Sequence, residues 1–250
     1  MLHNLQTMSN LVIEATDGDI GRCSDFLFDD VSWKIRYMVA DTGKWLPGRK
    51  VLITPGSLSQ IDWKTNRILV NLSTDALRRS PPLDQDAPVS RRYEIELANH
   101  YGAGYWWTRS EGMGIMPAPV PFPVKSSDVE ADEKTDPEQT QLRSFNEVSG
   151  YRIQATDDTL GHLETMLVDD VQWQLDFFVV DTRNWLPGKK VVIPIRWAEG
   201  VSWSEETFSV NKTTDDIKEC PTIDLSQPVD PQFESVLRKR YAGDNPRPQP

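Results

Sequence analysis

The 250 residues of this chain predict a mainly β protein made of two copies of one small unit, each copy followed by an amphipathic helix. Three observations carry that reading. The chain matches itself at one fixed offset, short apolar runs alternate with turn signals inside each copy, and an apolar residue recurs every fourth position near the end of each copy.

The self-match comes first, because it sets the organisation. ADTGKWLPGRKVLI, from Ala40 to Ile53, returns as VDTRNWLPGKKVVI, from Val180 to Ile193, an offset of 140 residues. The same offset aligns Ala15-Thr16-Asp17 with Ala155-Thr156-Asp157, and Asp29-Asp30-Val31-x-Trp33 with Asp169-Asp170-Val171-x-Trp173. It also aligns Trp63 with Trp203 and Val70-Asn71 with Val210-Asn211, with no gap from about residue 9 to residue 101. Two copies in this register share one fold, so the three duplicated tryptophan pairs (Trp33/Trp173, Trp45/Trp185 and Trp63/Trp203) are expected at equivalent buried positions.

In the first copy, strands are expected near Leu11 to Ala15, Ile20 to Asp29, Trp33 to Ala40, Val51 to Thr54, Leu58 to Trp63 and Arg67 to Leu72. Asp17-Gly18 and Lys64-Thr65-Asn66 supply turns, because Gly and Asn tolerate positive φ and Asp caps nearby amides. Strands this short and this evenly spaced suit a small barrel or sandwich. After Pro81-Pro82 the period changes. Val89, Tyr93, Leu97 and Tyr101 form one apolar stripe over residues 88–101, repeated as Val229, Phe233, Leu237 and Tyr241 over 228–241. A helix of this length is marginal alone in water, so its stripe must pack on a β unit, its own or its sister's.

These features divide the chain into a first unit over 1–116, a linker over 117–141 and a second unit over 142–250. The linker is rich in Pro, Ser, Asp and Glu, which bury too little apolar surface to order themselves, and the last residues, GDNPRPQP, read as a frayed tail. The expected pair of units is related by an approximate two-fold axis: duplication of a self-associating module yields two self-complementary patches, and a tether keeps them closed.

Composition bounds function. A hydrophobic fraction of 38% and a charged fraction of 26% fit a soluble globular protein, and a net charge of −11 repels phosphate backbones and anionic headgroups. Neither direct nucleic-acid binding nor membrane insertion is expected. The two cysteines, Cys23 and Cys220, fall in different copies and suggest neither a disulfide framework nor a zinc site; a cytoplasmic location is expected.

The segments VADTGKWLPGRKV and DTRNWLPGKKVVIP, with the preceding FLFDDVSWKIRYMVAD, resemble the PRC-barrel family. That family is known from the cytoplasmic domain of the photosynthetic reaction centre H subunit, from the C-terminal domain of the ribosome maturation factor RimM, and from small free-standing bacterial proteins. The resemblance implies two PRC-type barrels of six strands that dock onto other proteins. It implies no shared catalytic residues. Its motif residues here are Asp41, Trp45, Pro47 and Gly48, and in the second copy Asp181, Trp185, Pro187 and Gly188. Read from the residues, Pro47-Gly48 suits a type II turn, Asp41 and Thr42 suit local backbone capping, and Trp45 and Trp185 suit a small core that needs large apolar area.

No spacing points to chemistry. The histidines, His3, His100 and His162, are not at equivalent positions, and His100 is expected as a solvated cation at a helix end. The Asp29-Asp30 and Asp169-Asp170 pairs are expected to cap turns rather than to act as paired catalytic carboxylates. No catalytic, metal or cofactor residue is assigned. The aromatics directly after the first helix, Tyr105, Trp106 and Trp107, have no counterpart after the second, and are an anchor onto the sister barrel or an exposed site for a partner. The leading expectation is a cytoplasmic protein-interaction or scaffolding module with an unidentified protein partner, an intramolecular pseudo-dimer that is also compatible with homo-oligomers. The alternatives are an accessory protein of RNA processing or ribosome assembly, and a small-ligand binder at the inter-barrel cleft.

Overall fold

The structure, a computed structural model, describes residues 1–43, 46–47, 49–81, 83, 89, 91–102, 142–182, 189–202 and 204–243. It is mainly β, with two multi-stranded sheets. Its contacts define two compact units that do not coincide with the two sequence copies. One contains Met1–Leu11, Ser24–Met38 and Gln141–Pro250; the other contains Val12–Cys23 and Val39–Thr140.

The second unit holds much of the first copy. Strand β2 (Val12–Ala15) pairs antiparallel with β3 (Gly18–Asp29), Ala15 opposite Gly18 across the Thr16-Asp17 turn, and parallel with β7 (Arg67–Val70). Strand β6 (Leu58–Asp62) pairs antiparallel with β7 around Asn66, whose φ of 55° closes the expected turn. Strands β4 (Ile35–Asp41) and β5 (Lys50–Ile53) complete the order β5-β4-β3-β2-β7-β6, of which residues 18–23 of β3 and 39–41 of β4 belong to this unit. The six expected strands of the first copy are all present, each end within two residues of its expected bound.

Two helices finish this unit. Helix α2 (Thr74–Arg79) begins at Ser73, whose hydroxyl accepts from the Ala76 amide at 3.2 Å. Asp17 adds a cap from 57 residues away, accepting from the Thr74 amide at 2.7 Å and its hydroxyl at 3.0 Å. Helix α3 (Arg91–Tyr101) buries Glu94, Leu97 and Ala98. Tyr93 donates its hydroxyl to the Pro81 carbonyl at 2.9 Å, and His100 Nε2 lies 2.8 Å from the Ala76 carbonyl. His100 is therefore half-buried against α2 rather than fully solvated, because the helix seats on its own copy.

The first unit contains the second copy, with β9 (Arg152–Gln154), β10 (Thr159–Asp169), β11 (Gln174–Asp181), β12 (Lys190–Pro194), β13 (Ala198–Ser202), β14 (Thr207–Val210) and β15 (Thr222–Ile223) in the order β13-β14-β9-β10-β11-β12-β15. The β9–β14 pair is parallel, as is β2–β7 in the other copy. Helix α5 (Thr214–Lys218) has a capping box from Thr213 and Asp216, and Asp157 accepts from the Thr214 amide at 2.8 Å and its hydroxyl at 3.0 Å. The Ala-Thr-Asp motif thus does one job in both copies. Its aspartate caps the short helix that follows β7 in one copy and β14 in the other. Helix α6 (Pro231–Tyr241) packs on its own copy: Tyr241 donates to the Val192 carbonyl at 2.7 Å and meets the Trp197 ring edge-on.

This unit also takes in pieces of the first copy. The N-terminal arm consists of β1 (Leu2–Asn4) and α1 (Leu5–Met8), and β1 pairs antiparallel with β10, Leu2 opposite Asp169 and Asn4 opposite Leu167. The corresponding arm of the second copy, β8 (Leu142–Ser144) and α4 (Phe145–Val148), pairs with β3, Leu142 opposite Asp29 and Ser144 opposite Leu27. The two registers coincide when shifted by the 140-residue repeat. Each copy therefore lends its arm to the other. Between them Lys34 bridges Gln174, and the Ile35 amide donates to Trp173 (2.9 Å) as the Leu175 amide donates to Trp33 (2.8 Å).

The core follows from that exchange. Trp33 of the first copy is buried among Phe28, Phe178 and Phe208, with ring centroids 5.5–5.6 Å away, and Phe178 and Phe208 meet each other at 4.5 Å. Its counterpart Trp173 is only half-buried, with Phe26 at 6.4 Å. The expected equivalence of that tryptophan pair thus fails. The reason is volume: at the positions of Phe178 and Phe208 the first copy carries Met38 and Ile68, which build no matching aromatic box.

Candidate interaction surface

The Asp-Asp-Val-x-Trp turns organise the exposed part of this unit. Asp29 Oδ1 accepts from the Val31 amide at 2.9 Å and the Ser32 amide at 2.8 Å; Asp169 Oδ1 accepts from the Val171 and Gln172 amides at 3.0 and 2.9 Å. Each turn closes when the tryptophan amide donates back to the first aspartate carbonyl, with the tryptophan in the left-handed region at φ 59° and 54°. That conformation is rare for a bulky residue and persists only where packing fixes it. The capping expected of these aspartates is thus what the first of each pair does. At the apex the turn presents a valine to solvent, Val31 at 52% exposure and Val171 at 80%.

The second aspartate of each pair holds an arm. Arg143 Nε donates to Asp30 Oδ2 at 2.7 Å, with both side chains largely buried, and His3 Nε2 lies 2.8 Å from Asp170 Oδ2. His3 and Arg143 are equivalent residues of the two arms. Burial raises the Asp30 carboxyl above its ordinary value, against the opposing pull of Arg143. Asp170 is lowered: burial acts the other way but is outweighed by the Met1 amino group and His3. One position further on, Thr165 donates its hydroxyl to Asn4 Oδ1 at 2.6 Å, whereas in the other copy Ser144 donates to Asp25 Oδ2 at 2.6 Å.

Helix α6 docks through Arg238, which lies 3.1 Å from Asp169, 3.0 Å from Asp176 and 2.9 Å from Glu234; Glu234 in turn accepts from the Leu2 amide at 3.0 Å. Burial raises the Asp176 carboxyl despite Arg238 beside it. In the first copy the helix position of Arg238 is Ala98, and the strand position of Asp176 is Arg36, which reaches Asp29 at 3.3 Å and the Ser32 hydroxyl at 2.9 Å. The cation that neutralises the turn has moved from helix to strand. Both copies thus compensate the turn aspartate, buried at Asp29 and half-buried at Asp169, by different residues.

Of the motif residues, the structure describes Asp41, Pro47 and Asp181. Asp41 Oδ1 accepts from the Gly43 amide at 2.9 Å, and Thr42 donates its hydroxyl to the Leu46 and Arg49 carbonyls at 2.8 and 2.7 Å. Thr182, next to the buried Asp181, donates to the Lys189 carbonyl at 2.8 Å. These bonds tie Asp41, Thr42 and Thr182 to the backbone of their own loops, and Pro47 is exposed. Two glycines were missed although both obey the repeat, Gly21 and Gly161. Each sits at positive φ with its Cα against the carbonyl of Asp41 or Asp181, so that a Cβ has no room. Trp45, Gly48, Trp185, Pro187, Gly188 and the aromatic segment Tyr105, Trp106 and Trp107 lie outside the described residues.

Among the described residues no group of three or more His, Cys, Asp or Glu side chains is arranged to hold a metal ion, and no helix is long and apolar enough to cross a membrane. No known protein family matches the chain, and no curated protein does.

Proposed function

We propose that the chain is a non-enzymatic, cytoplasmic protein-interaction or scaffolding module of the free-standing PRC-barrel kind, its two barrels and helices forming a covalently joined pseudo-two-fold pair. The observation that supports this best is the reciprocal arm exchange. Each copy accepts an extended segment from the other as an added strand, and strand addition is a general mode of protein recognition in which backbone bonds give affinity and side-chain pockets give selectivity. The matched registers and the central Lys34–Gln174 bridge support the two-fold relation.

The surface offered to a partner is the pair of turn apices. Val31 and Val171 stand at the same position of two rigidly closed turns, flanked by carboxylates already committed to arms. Photo-cross-linking residues at positions 31 and 171, compared in cells with one at the exposed Glu199 of β13, test the reading. Discrete heterologous adducts from 31 or 171 and none from 199 are expected. The same adduct pattern at all three positions would refute it.

A further inference from the structure

We infer that the N-terminal arm is an exchangeable strand, and that its site on β10 is an interaction surface for the same arm of a second copy of this chain. The inference rests on the observed registers and needs no particular outside partner.

The two arms are equivalent in register but not in chemistry. The arm of the second copy is held by charge. Arg143, a permanent cation, meets Asp30; Ser144 and the Asn146 amide donate to the Asp25 carboxylate at 2.6 and 3.0 Å. In the N-terminal arm a histidine, His3, replaces that arginine. A neutral hydroxyl, Thr165, replaces that carboxylate, bonding Asn4 at 2.6 Å and the Gln6 amide at 3.3 Å. Hydrogen bonds to ionised acceptors are roughly twice as strong as neutral ones, and an arginine keeps its charge across the physiological range where a histidine does not. The Met1 amino group also reaches Asp170 at 2.7 Å, but in an exposed pair of the kind that contributes little. The Met1 amino group, which shares Asp170 with His3, also lies in the field of Asp169 and Glu234, both of which pair with Arg238, so the site is acidic on balance. Of the two arms, the N-terminal one leaves its strand first.

The site it leaves selects its replacement. Leu2, Leu5 and Met8 are buried, Asp170 takes the imidazole at position 3, and Thr165 takes the amide oxygen at position 4. A second copy of the chain supplies the same side chains in the same order. The other arm is a poorer match, because Phe145 replaces Leu5 in a packed pocket and Ser144 supplies a hydroxyl where Thr165 already donates. The tether keeps the resident arm at an effective concentration of about a millimolar, so exchange between chains becomes appreciable as the protein concentration approaches that value.

The test uses full-length chains. One carries Asn4→Cys and the other Thr165→Cys; they are mixed, incubated and oxidised, with the unsubstituted chain, whose Cys23 and Cys220 are buried, as the blank. A disulfide-linked two-chain species is expected, falling with dilution and roughly ten-fold more abundant than for the control pair Ser144→Cys and Leu27→Cys, which face each other across the other arm and leave Asp25 and Asp30 in place. Absence of the species at about 1 mM, or equal yields from both pairs, overturns the inference. A second measurement needs no substitution. In native hydrogen exchange the backbone amides of residues 2–4 are expected to exchange roughly ten-fold faster than those of 142–144, and equal or slower exchange overturns it.

Discussion

Substituting Gly21 or Gly161 by alanine is expected to be among the most damaging small changes in the chain. At Gly21 an added Cβ falls inside contact distance of the Asp41 carbonyl oxygen, with its carbon and the Thr42 Cα both at 2.9 Å; at Gly161 the same occurs at Asp181, its carbonyl carbon at 3.0 Å. The obstacle is backbone in both cases, so no side chain can swing away. Two costs add. Holding a non-glycine residue at φ 139° or 57° costs about 1–3 kcal/mol, and forcing the neighbouring strand end outward costs a further 1–3 kcal/mol. The sum, about 2–6 kcal/mol, is a large part of the stability of an ordinary domain. Urea unfolding followed by tryptophan fluorescence measures it, with Gly56→Ala as the control, since a Cβ there meets nothing within 4 Å. The control is expected to change stability by less than about 0.5 kcal/mol. A loss below about 1 kcal/mol for both Gly21→Ala and Gly161→Ala would refute the close-approach argument.

Three other outcomes follow from the packing and charges. Trp33→Ala is expected to cost about 3–5 kcal/mol and Trp173→Ala distinctly less, because only Trp33 fills an aromatic box; equal losses in denaturation would contradict this. Arg143→Gln removes the partner of a largely buried carboxylate and is expected to cost about 3 kcal/mol, measured as the shift of the unfolding midpoint against Asp30→Asn/Arg143→Gln, which is expected to recover part of it. Carboxyl titration by NMR is expected to place Asp17 and Asp157 below the ordinary value of 3.8, through hydrogen bonds from Thr74 and Thr214, and Asp176 above it through burial. The sign of the linkage follows. The two caps stabilise the fold above the ordinary carboxyl pKa and lose that contribution as the pH falls through their depressed values, whereas Asp176 favours the fold at low pH and loses that contribution as the pH rises through its elevated one. A reversed order of the three titrations would contradict the assigned causes.

Much of the fold was legible because duplication and period act together. A strand such as Val12–Ala15 or Arg67–Val70 declares itself by alternation, and the repeat at 140 residues carries each assignment to the other copy. The arms were not legible. Leu2–Asn4 and Leu142–Ser144 are too short for a period, although Leu2, Leu5 and Met8 do align with Leu142, Phe145 and Val148. Local sequence also says nothing of whether an arm pairs with its own copy or with the other, since both offer the same edge. Gly21 and Gly161 carried a readable signal, a duplicated glycine inside a strand, which marks close backbone approach. The turn aspartates were readable as caps, but the neutralising cation was not, because Arg36 and Arg238 occupy different elements in the two copies.

The central claim, that each copy completes the other by lending it a strand, is tested most directly by cross-strand proton contacts in the intact chain. Nuclear Overhauser contacts are predicted between His3 and Val168 and between Arg143 and Phe28, the residues that face each other in the exchanged registers. Contacts of His3 with Phe28 and of Arg143 with Val168 in their place would mean that each arm folds back on its own copy, and would contradict the account.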